Sequence, residues 1–396
     1  MLALLKIPNV RLLLVAQALG MAASPLNTLL GGIIGTRLAP DPFLATLPVA
    51  LVIVGMAAGI MPVAALMRKK GRRTGFLFAT AMAMAGVLLA VVAIERENFW
   101  LFCLATPFIG VHVASVQQYR FAVAESVPGA DVPRAVSLIL LGTLIAAFLG
   151  PFLAQSAQPV QGLSREAAAY LMLSGVLAIA FILLTRYRDV PAETAAAAGE
   201  ARPLPEILAQ HRFIVAALAA AVGYGVMTLL MTATPISMHV VDGHALHHTA
   251  TVIQMHIVAM YLPSLVSGWL IRRFGEARLL LAGIVILIGC VIAASMGHDV
   301  MHYGAALILL GIGWNFLFVG GTTLLTHTYR ASERFRVQAA NDFLVFTVTA
   351  ASSLASGAAI HAAGWNLLLL GVLPPLVVLF VVVVAGMRRL AVAPAI

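Results

Sequence analysis

Ala64-Ala65-Leu66-Met67-Arg68-Lys69-Lys70-Gly71-Arg72-Arg73 closes one long apolar run and opens the next. Far downstream, Gly268-Trp269-Leu270-Ile271-Arg272-Arg273-Phe274-Gly275-Glu276-Ala277-Arg278 does the same. Each is a basic turn centred on a glycine, set between stretches almost without charge. The runs on either side are roughly 20 to 27 residues long, enough for a helix rising about 1.5 Å per residue to cross a hydrocarbon layer of about 30 Å. In lipid each must satisfy its own backbone hydrogen bonds, so each is predicted to be a helix.

Working outward from the two turns, the apolar runs fall at 10–36, 43–67, 74–94, 98–122, 134–158, 167–186, 210–236, 248–270, 278–296, 302–327, 337–361 and 364–387. The first follows Lys6 and Arg11, exceeds the apolar length of a signal peptide and lacks a small-residue cleavage site, so it is expected to be a retained helix. The longest hydrophilic stretch, 187–209, carries Glu193, Glu200, Pro203 and Pro205 and reads as a linker. The chain therefore divides into a six-helix bundle over 1–186, a cytoplasmic linker over 187–209 and a second six-helix bundle over 210–396. This is an all-α membrane protein with twelve transmembrane helices in two six-helix bundles.

Composition agrees, since 62% of residues are hydrophobic and 10% charged, a balance that leaves too little polar surface for a soluble domain. The net charge of +9 does not point to nucleic acid, because of where the charges lie. Of the 24 Lys and Arg residues, only Arg37, Arg96 and Arg165 fall on the loops of one side, and the other 21 fall opposite. Under the positive-inside rule both termini are cytoplasmic. Cys103 and Cys290 lie inside separate runs without a CxxC neighbour, so neither a disulfide framework nor a thiolate metal site is expected.

Two six-helix units sharing a basic loop resemble the major facilitator superfamily, whose halves alternate around a central substrate site. The superfamily usually has an Asp before the Gly of that loop, where Arg68 and Arg272 stand here. Gly150-Pro151, late in the fifth run, is similar to a helix-kinking motif of its export members. The resemblance implies a transporter. No catalytic triad, phosphate-binding Gly loop or carboxylate pair appears, so an enzyme is not expected.

All 15 acidic residues lie in loops or near run ends, the deepest being Asp342, which disfavours a mid-membrane carboxylate as proton carrier. The middle is softer. Met227 and Met231 in the seventh run, and His256 and Met260 in the eighth, are i, i+4 pairs that place each pair on one helical face. Counted from the outer ends at about 1.5 Å per residue, Met231, His256, Met227 and Met260 lie roughly 6, 12, 12 and 18 Å deep. Thioether and imidazole ligands suit copper, especially Cu(I), and bury without the desolvation cost of a carboxylate. The bland alternatives stay open: methionines filling a core, and a histidine bound to a neighbouring helix.

An MxxxM followed by HxxxM resembles the CcoA-like copper importers, which supply copper for the assembly of haem-copper oxidases. That resemblance implies metal binding by Met227, Met231, His256 and Met260, a copper ion as cargo with no bound cofactor, and a bacterial inner-membrane location. It also implies a copper chaperone or haem-copper oxidase assembly factor as partner, beside membrane lipid. Relatives of that family resemble riboflavin transporters, so riboflavin or another small organic solute is the alternative cargo, and a non-transporting assembly role is a third.

The outer loops add His239, His244, His247 and His248 in the first, and His298 and His302 in the second. Clustered imidazoles at the mouth of the second half are candidates for external metal capture, or simply polar loop residues. Gln17, Asn27, Gln117, Gln118 and Asn315 are the remaining polar groups in the runs, expected as interhelical hydrogen-bonders or cavity lining.

Overall fold

The computed structural model describes residues 4–128, 131–159, 162–190, 202–330 and 333–391. Residues 191–201 of the predicted linker lie outside them. Helices account for nearly all of the ordered elements. They are α1 (Pro8–Met21), α2 (Ala23–Leu38), α3 (Leu47–Lys70), α4 (Arg72–Glu95), α5 (Phe99–Val116), α6 (Tyr119–Glu125), α7 (Val132–Ser156), α8 (Arg165–Leu184), α9 (Leu204–Leu208), α10 (His211–Pro235), α11 (Leu246–Tyr261), α12 (Ser264–Phe274), α13 (Glu276–Ser295), α14 (Val300–Thr326) and α15 (Arg334–Ala391).

Several pairs form one span with a local break, namely α1 with α2, α5 with α6 and α11 with α12. The last of these breaks falls at Leu262-Pro263, where proline lacks an N–H and disfavours helix in the residue before it. α15 is interrupted at Gly364, whose φ of 70° splits it into two spans. With that division, and counting α7, whose apolar part Leu141–Ser156 is shorter, twelve helical spans run through the described residues. Asn98 and Ser164 cap α5 and α8, their side-chain oxygens accepting from the N–H groups of Leu101 and Ala167. Val285, Ile288 and Ile292 form an exposed apolar stripe on α13, a surface suited to lipid chains.

The chain forms two compact units, one comprising Met1–Glu193 with Ala245–Gln254, the other Thr194–His244 with Met255–Ile396. In the first, α1 packs on α7, α3 on α5, and α4 on α5 and α8. In the second, α13 packs on α14, and α10 on both α14 and α15. Small residues let the backbones approach. A Cβ on Gly110 would collide with the carbonyl oxygen of Val52, so the α3–α5 crossing admits nothing larger. The polar residues in the spans tie helices together: Gln17 Nε2 donates to Thr143 Oγ1 at 3.0 Å, and Tyr170 Oη to Asn27 Oδ1 at 2.9 Å.

The repeated turn is a structural repeat as well. Gly71 has φ 85° and ψ 158°, and Gly275 has φ 84° and ψ 161°, a conformation side chains of L-residues resist. The two turns differ in what holds them. Where the loop lacks its usual Asp, other acids of the same unit take over. Asp189 Oδ1 accepts from the Arg73 N–H at 3.0 Å, and Arg72 Nε donates to Glu125 Oε2 at 2.7 Å. At the second turn Glu276 faces His327 at 3.8 Å, and nothing lies within 4 Å of a Cβ on Gly275.

Two features depart from the sequence reading. The seventh span does not end near residue 236: Ile236–Val241 continue it as a π-helical turn, so Met238 and His239 are helical, not loop. And the linker has a fixed end. The Arg202 guanidinium grips Glu333 through Nε at 2.9 Å and Nη2 at 2.7 Å, while Nη2 also donates to the Thr328 carbonyl at 3.0 Å. Glu333 is only 1% exposed, and the Arg202 hydrogen bonds hold its carboxyl well below the ordinary carboxylate range.

Candidate functional site

α14 organises the middle of the second unit. Its Trp314, Leu317 and Gly321 meet α10: a Cβ on Gly223 would lie 3.2 Å from Leu317, and one on Gly321 3.2 Å from the Ala216 carbonyl. An adjoining face meets α11 and α12, where Gly311 admits the main chain of His256 and Ala259. Asn315 fixes that seam, its Nδ2 donating to the Met260 carbonyl at 2.7 Å and to Ser264 Oγ at 2.6 Å, and its Oδ1 accepting from Ser267 Oγ at 2.8 Å.

Of the residues singled out in the sequence, His256 and Met260 lie on this seam, and Met227 and Met231 lie on α10. His256 is fully buried, and its Nδ1 donates to the Leu307 carbonyl of α14 at 2.8 Å. A carbonyl only accepts, so Nδ1 carries the proton and Nε2 is a bare lone pair. Nε2 has no hydrogen-bond partner among the described residues. Met227 and Met260 are buried and Met231 is half-buried. Met227 follows Ala216, Ala220 and Gly223 of α10 at helical spacing, and its sulfur has the Thr228 hydroxyl at 4.0 Å.

Three of the outer histidines are engaged in hydrogen bonds. His239 Nδ1 donates to the His244 carbonyl at 2.7 Å, His244 Nε2 to the His298 carbonyl at 2.7 Å, and His298 Nδ1 pairs with Asp242 Oδ2 at 3.0 Å. Tyr303 Oη donates to the same carboxylate oxygen at 2.7 Å. His302 stands 3.8 Å from Asp299, and the rings of His247 and His248 lie 3.9 Å apart. Among the described residues no group of three or more His, Cys, Asp or Glu side chains is arranged to hold a metal ion.

Sequence reasoning missed an aromatic quartet at the same seam. Trp314 and Phe318 of α14 stack nearly parallel, with centroids 4.9 Å apart and an interplanar angle of 6°. Tyr224 of α10 meets both edge-on, at 5.2 Å and 5.9 Å, and Tyr261 of α11 meets Trp314 edge-on at 6.1 Å. Such pairs contribute about 0.5–1.5 kcal/mol each beyond area burial. Tyr224, Tyr261 and Phe318 keep part of their surface open, whereas Trp314 is buried and its Nε1–H has no partner among the described residues. A buried donor left unmet costs about 1–3 kcal/mol. The signal was faint but present: Tyr224 lies one turn before Met227, Tyr261 directly follows Met260, and Trp314 and Phe318 are an i, i+4 pair.

A two-unit helical body with a repeated glycine turn and a polar-aromatic seam is matched by one family model, that of the Major Facilitator Superfamily, over residues 12–348. The chain belongs to the Major Facilitator Superfamily. It is 38% identical, over 90% of both chains, to the riboflavin transporter RfnT of Brucella anthropi. It is 31% identical to YdeG, an uncharacterised transporter of the superfamily from Bacillus subtilis, over 87% of this chain and 83% of that one. Among solved structures, a bacterial homologue of the human lysosomal transporter Spinster, inward-facing and occupied, superposes with a TM-score of 0.78 over 98% of each chain. At 13% identity that likeness speaks for the fold alone.

Proposed function

We propose that this chain is a secondary carrier that moves a planar heteroaromatic solute of the riboflavin class across the bacterial inner membrane, with both termini in the cytoplasm. The observation that carries this reading is the quartet of Tyr224, Tyr261, Trp314 and Phe318, which offers ring faces and edges of the kind fused heteroaromatic ligands stack on. The 38% identical riboflavin transporter supports the same cargo. The one-sided distribution of Lys and Arg supports the orientation. Alternating access of the two halves is the transport mode of the superfamily.

A second reading, copper import, keeps one specific observation in its favour. His256 is anchored through Nδ1 to a backbone carbonyl and presents a bare Nε2, the arrangement of many metal-bound imidazoles. Met227 and Met260 are buried on the helices flanking α14. In that reading Met227, Met231, His256 and Met260 hold the ion, and a copper chaperone or oxidase assembly factor receives it.

Uptake by the purified chain in liposomes separates the two. The flavin reading expects saturable uptake of labelled riboflavin, insensitive to copper chelation. Copper accumulation without flavin uptake would establish the second reading and remove the first.

A further inference from the structure

We infer that the exposed side of α12 holds one anionic phospholipid, its phosphate on Arg272 and Arg273 and an acyl chain along Leu265 and Val266. Leu265, Val266, Trp269, Arg272 and Arg273 follow one another at helical spacing, so they share one side of the helix. Leu265 is 77% exposed, Val266 52% and Trp269 54%, so the protein itself leaves this side uncovered. Ser267, on the opposite side of α12, is buried and bonded to Asn315. The order along the stripe is the order along a lipid. Aliphatic residues come first, then an indole, then two guanidiniums at the end of the span on the Lys- and Arg-rich side. From Leu265 to Arg273 the helix rises about 12 Å, most of the roughly 15 Å depth of one hydrocarbon leaflet.

The charges ask for an acid that the protein does not supply. Arg272, Arg273 and Arg278 make no ion pair among the described residues, and Glu276, the acid within the turn, faces His327 instead. Arg273 lies 5.7 Å over the Phe274 ring, and that ring meets Trp269 edge-on at 6.2 Å, so two aromatic rings border the guanidiniums at headgroup depth. The corresponding turn of the first unit sets the contrast. With Gly71 aligned on Gly275, Ala65 and Lys70 stand where Trp269 and Phe274 stand here, and Arg72 is neutralised by Glu125. An anionic phosphate supplies at the second turn the charge that Glu125 supplies at the first. A choline headgroup brings a cation with its phosphate and matches three unpaired arginines less well.

The test is the affinity of the delipidated full-length chain in detergent for phosphatidylglycerol and for phosphatidylcholine of the same acyl chains, read as bound lipid by native mass spectrometry. Each arginine beside an anionic lipid is worth about fivefold in affinity, so wild type should prefer phosphatidylglycerol by at least about that factor. Arg272→Gln with Arg273→Gln should weaken phosphatidylglycerol binding about twentyfold, whereas Arg272→Lys with Arg273→Lys should keep most of the preference. Arg68→Gln with Lys69→Gln, the corresponding pair at the first turn, should cost far less. sn-Glycerol 3-phosphate, a phosphate monoester without acyl chains, should not compete. Equal affinity of wild type for the two lipids, or phosphatidylglycerol binding unchanged by the two glutamines, overturns the assignment. Displacement of the lipid by sn-glycerol 3-phosphate also overturns it, in favour of a site for free phosphate. The wild-type comparison involves no substitution, so the test survives a variant that does not fold, and none of these readouts depends on which solute the protein carries.

Discussion

Among the described residues each unit buries one imidazole completely, His112 in α5 and His256 in α11. Their protonation follows the same logic. Thr80 Oγ1 spends its own hydrogen on the Phe76 carbonyl at 2.8 Å and so accepts from His112 Nδ1 at 3.4 Å, as the Leu307 carbonyl accepts from His256. His256 Nε2 is left without a partner among the described residues, whereas His112 also meets the Gly20 backbone of α1. What differs is the cover. α1 lies over His112 so closely that a Cβ on Gly20 would come within 3.0 Å of Nε2. His256 instead is bonded to the Leu307 carbonyl of α14, and its main chain packs on Gly311. A duplicated fold has buried one histidine in each half, and the neighbours, not the residue type, distinguish the two.

The sharpest way to break this comparison is to strip a ring from the second half and a single buried hydroxyl from the first. We expect Tyr224→Ala to lower riboflavin uptake by about ten- to a hundredfold, the worth of one stacking contact. Tyr170→Phe in the first unit deletes only the bond to Asn27, so uptake should persist while the thermal midpoint drops by the equivalent of about 1 kcal/mol. Equal losses of uptake from both would erase the division of labour.

A smaller effect is expected at the cover of His112. Gly20→Ala should destabilise the protein by about 1–3 kcal/mol through overpacking, and adding His112→Ala should restore part of the loss. A neutral Gly20→Ala, read by thermal unfolding in detergent, would mean that the crossing is looser than described.

The smallest concerns the linker clasp of the second unit, and its sign follows from the depressed Glu333 carboxyl. Because the folded value lies below the ordinary 4.5, the clasp contributes fully above that pH and is lost progressively as pH falls below it. Wild type should therefore lose more thermal stability between pH 6 and acid than Glu333→Gln, in unfolding scans on the order of a few degrees apart. Superimposable curves would show that Arg202 and Glu333 do not couple to folding.

Much of this was legible in the chain. Apolar run length gave the spans to within a few residues, and Gly71 and Gly275, read as corresponding turns, share one backbone conformation. Gln17, Asn27 and Asn315 bond between helices as expected. The replacement of the missing loop acids by Glu125 and Asp189 was not legible, because it depends on where the ends of α6 and α8 arrive in space. Nor was the π-helical end of α10, which no local propensity signals. The aromatic quartet escaped because its members come from three helices, and tyrosine or tryptophan within an apolar run looks the same whether it faces lipid, core or ligand. The methionine and histidine pairs pointed to copper, whereas the 38% identical relative is a riboflavin transporter.

The central claim is that the second unit binds a flavin ring on Trp314 and its neighbours. It is tested most directly by titrating riboflavin against the purified protein and following quenching of flavin fluorescence at equilibrium. Saturable binding by wild type, weakened at least about tenfold by Trp314→Ala and retained by Tyr170→Phe, is the result expected. Binding by Trp314→Ala as tight as by wild type would contradict it.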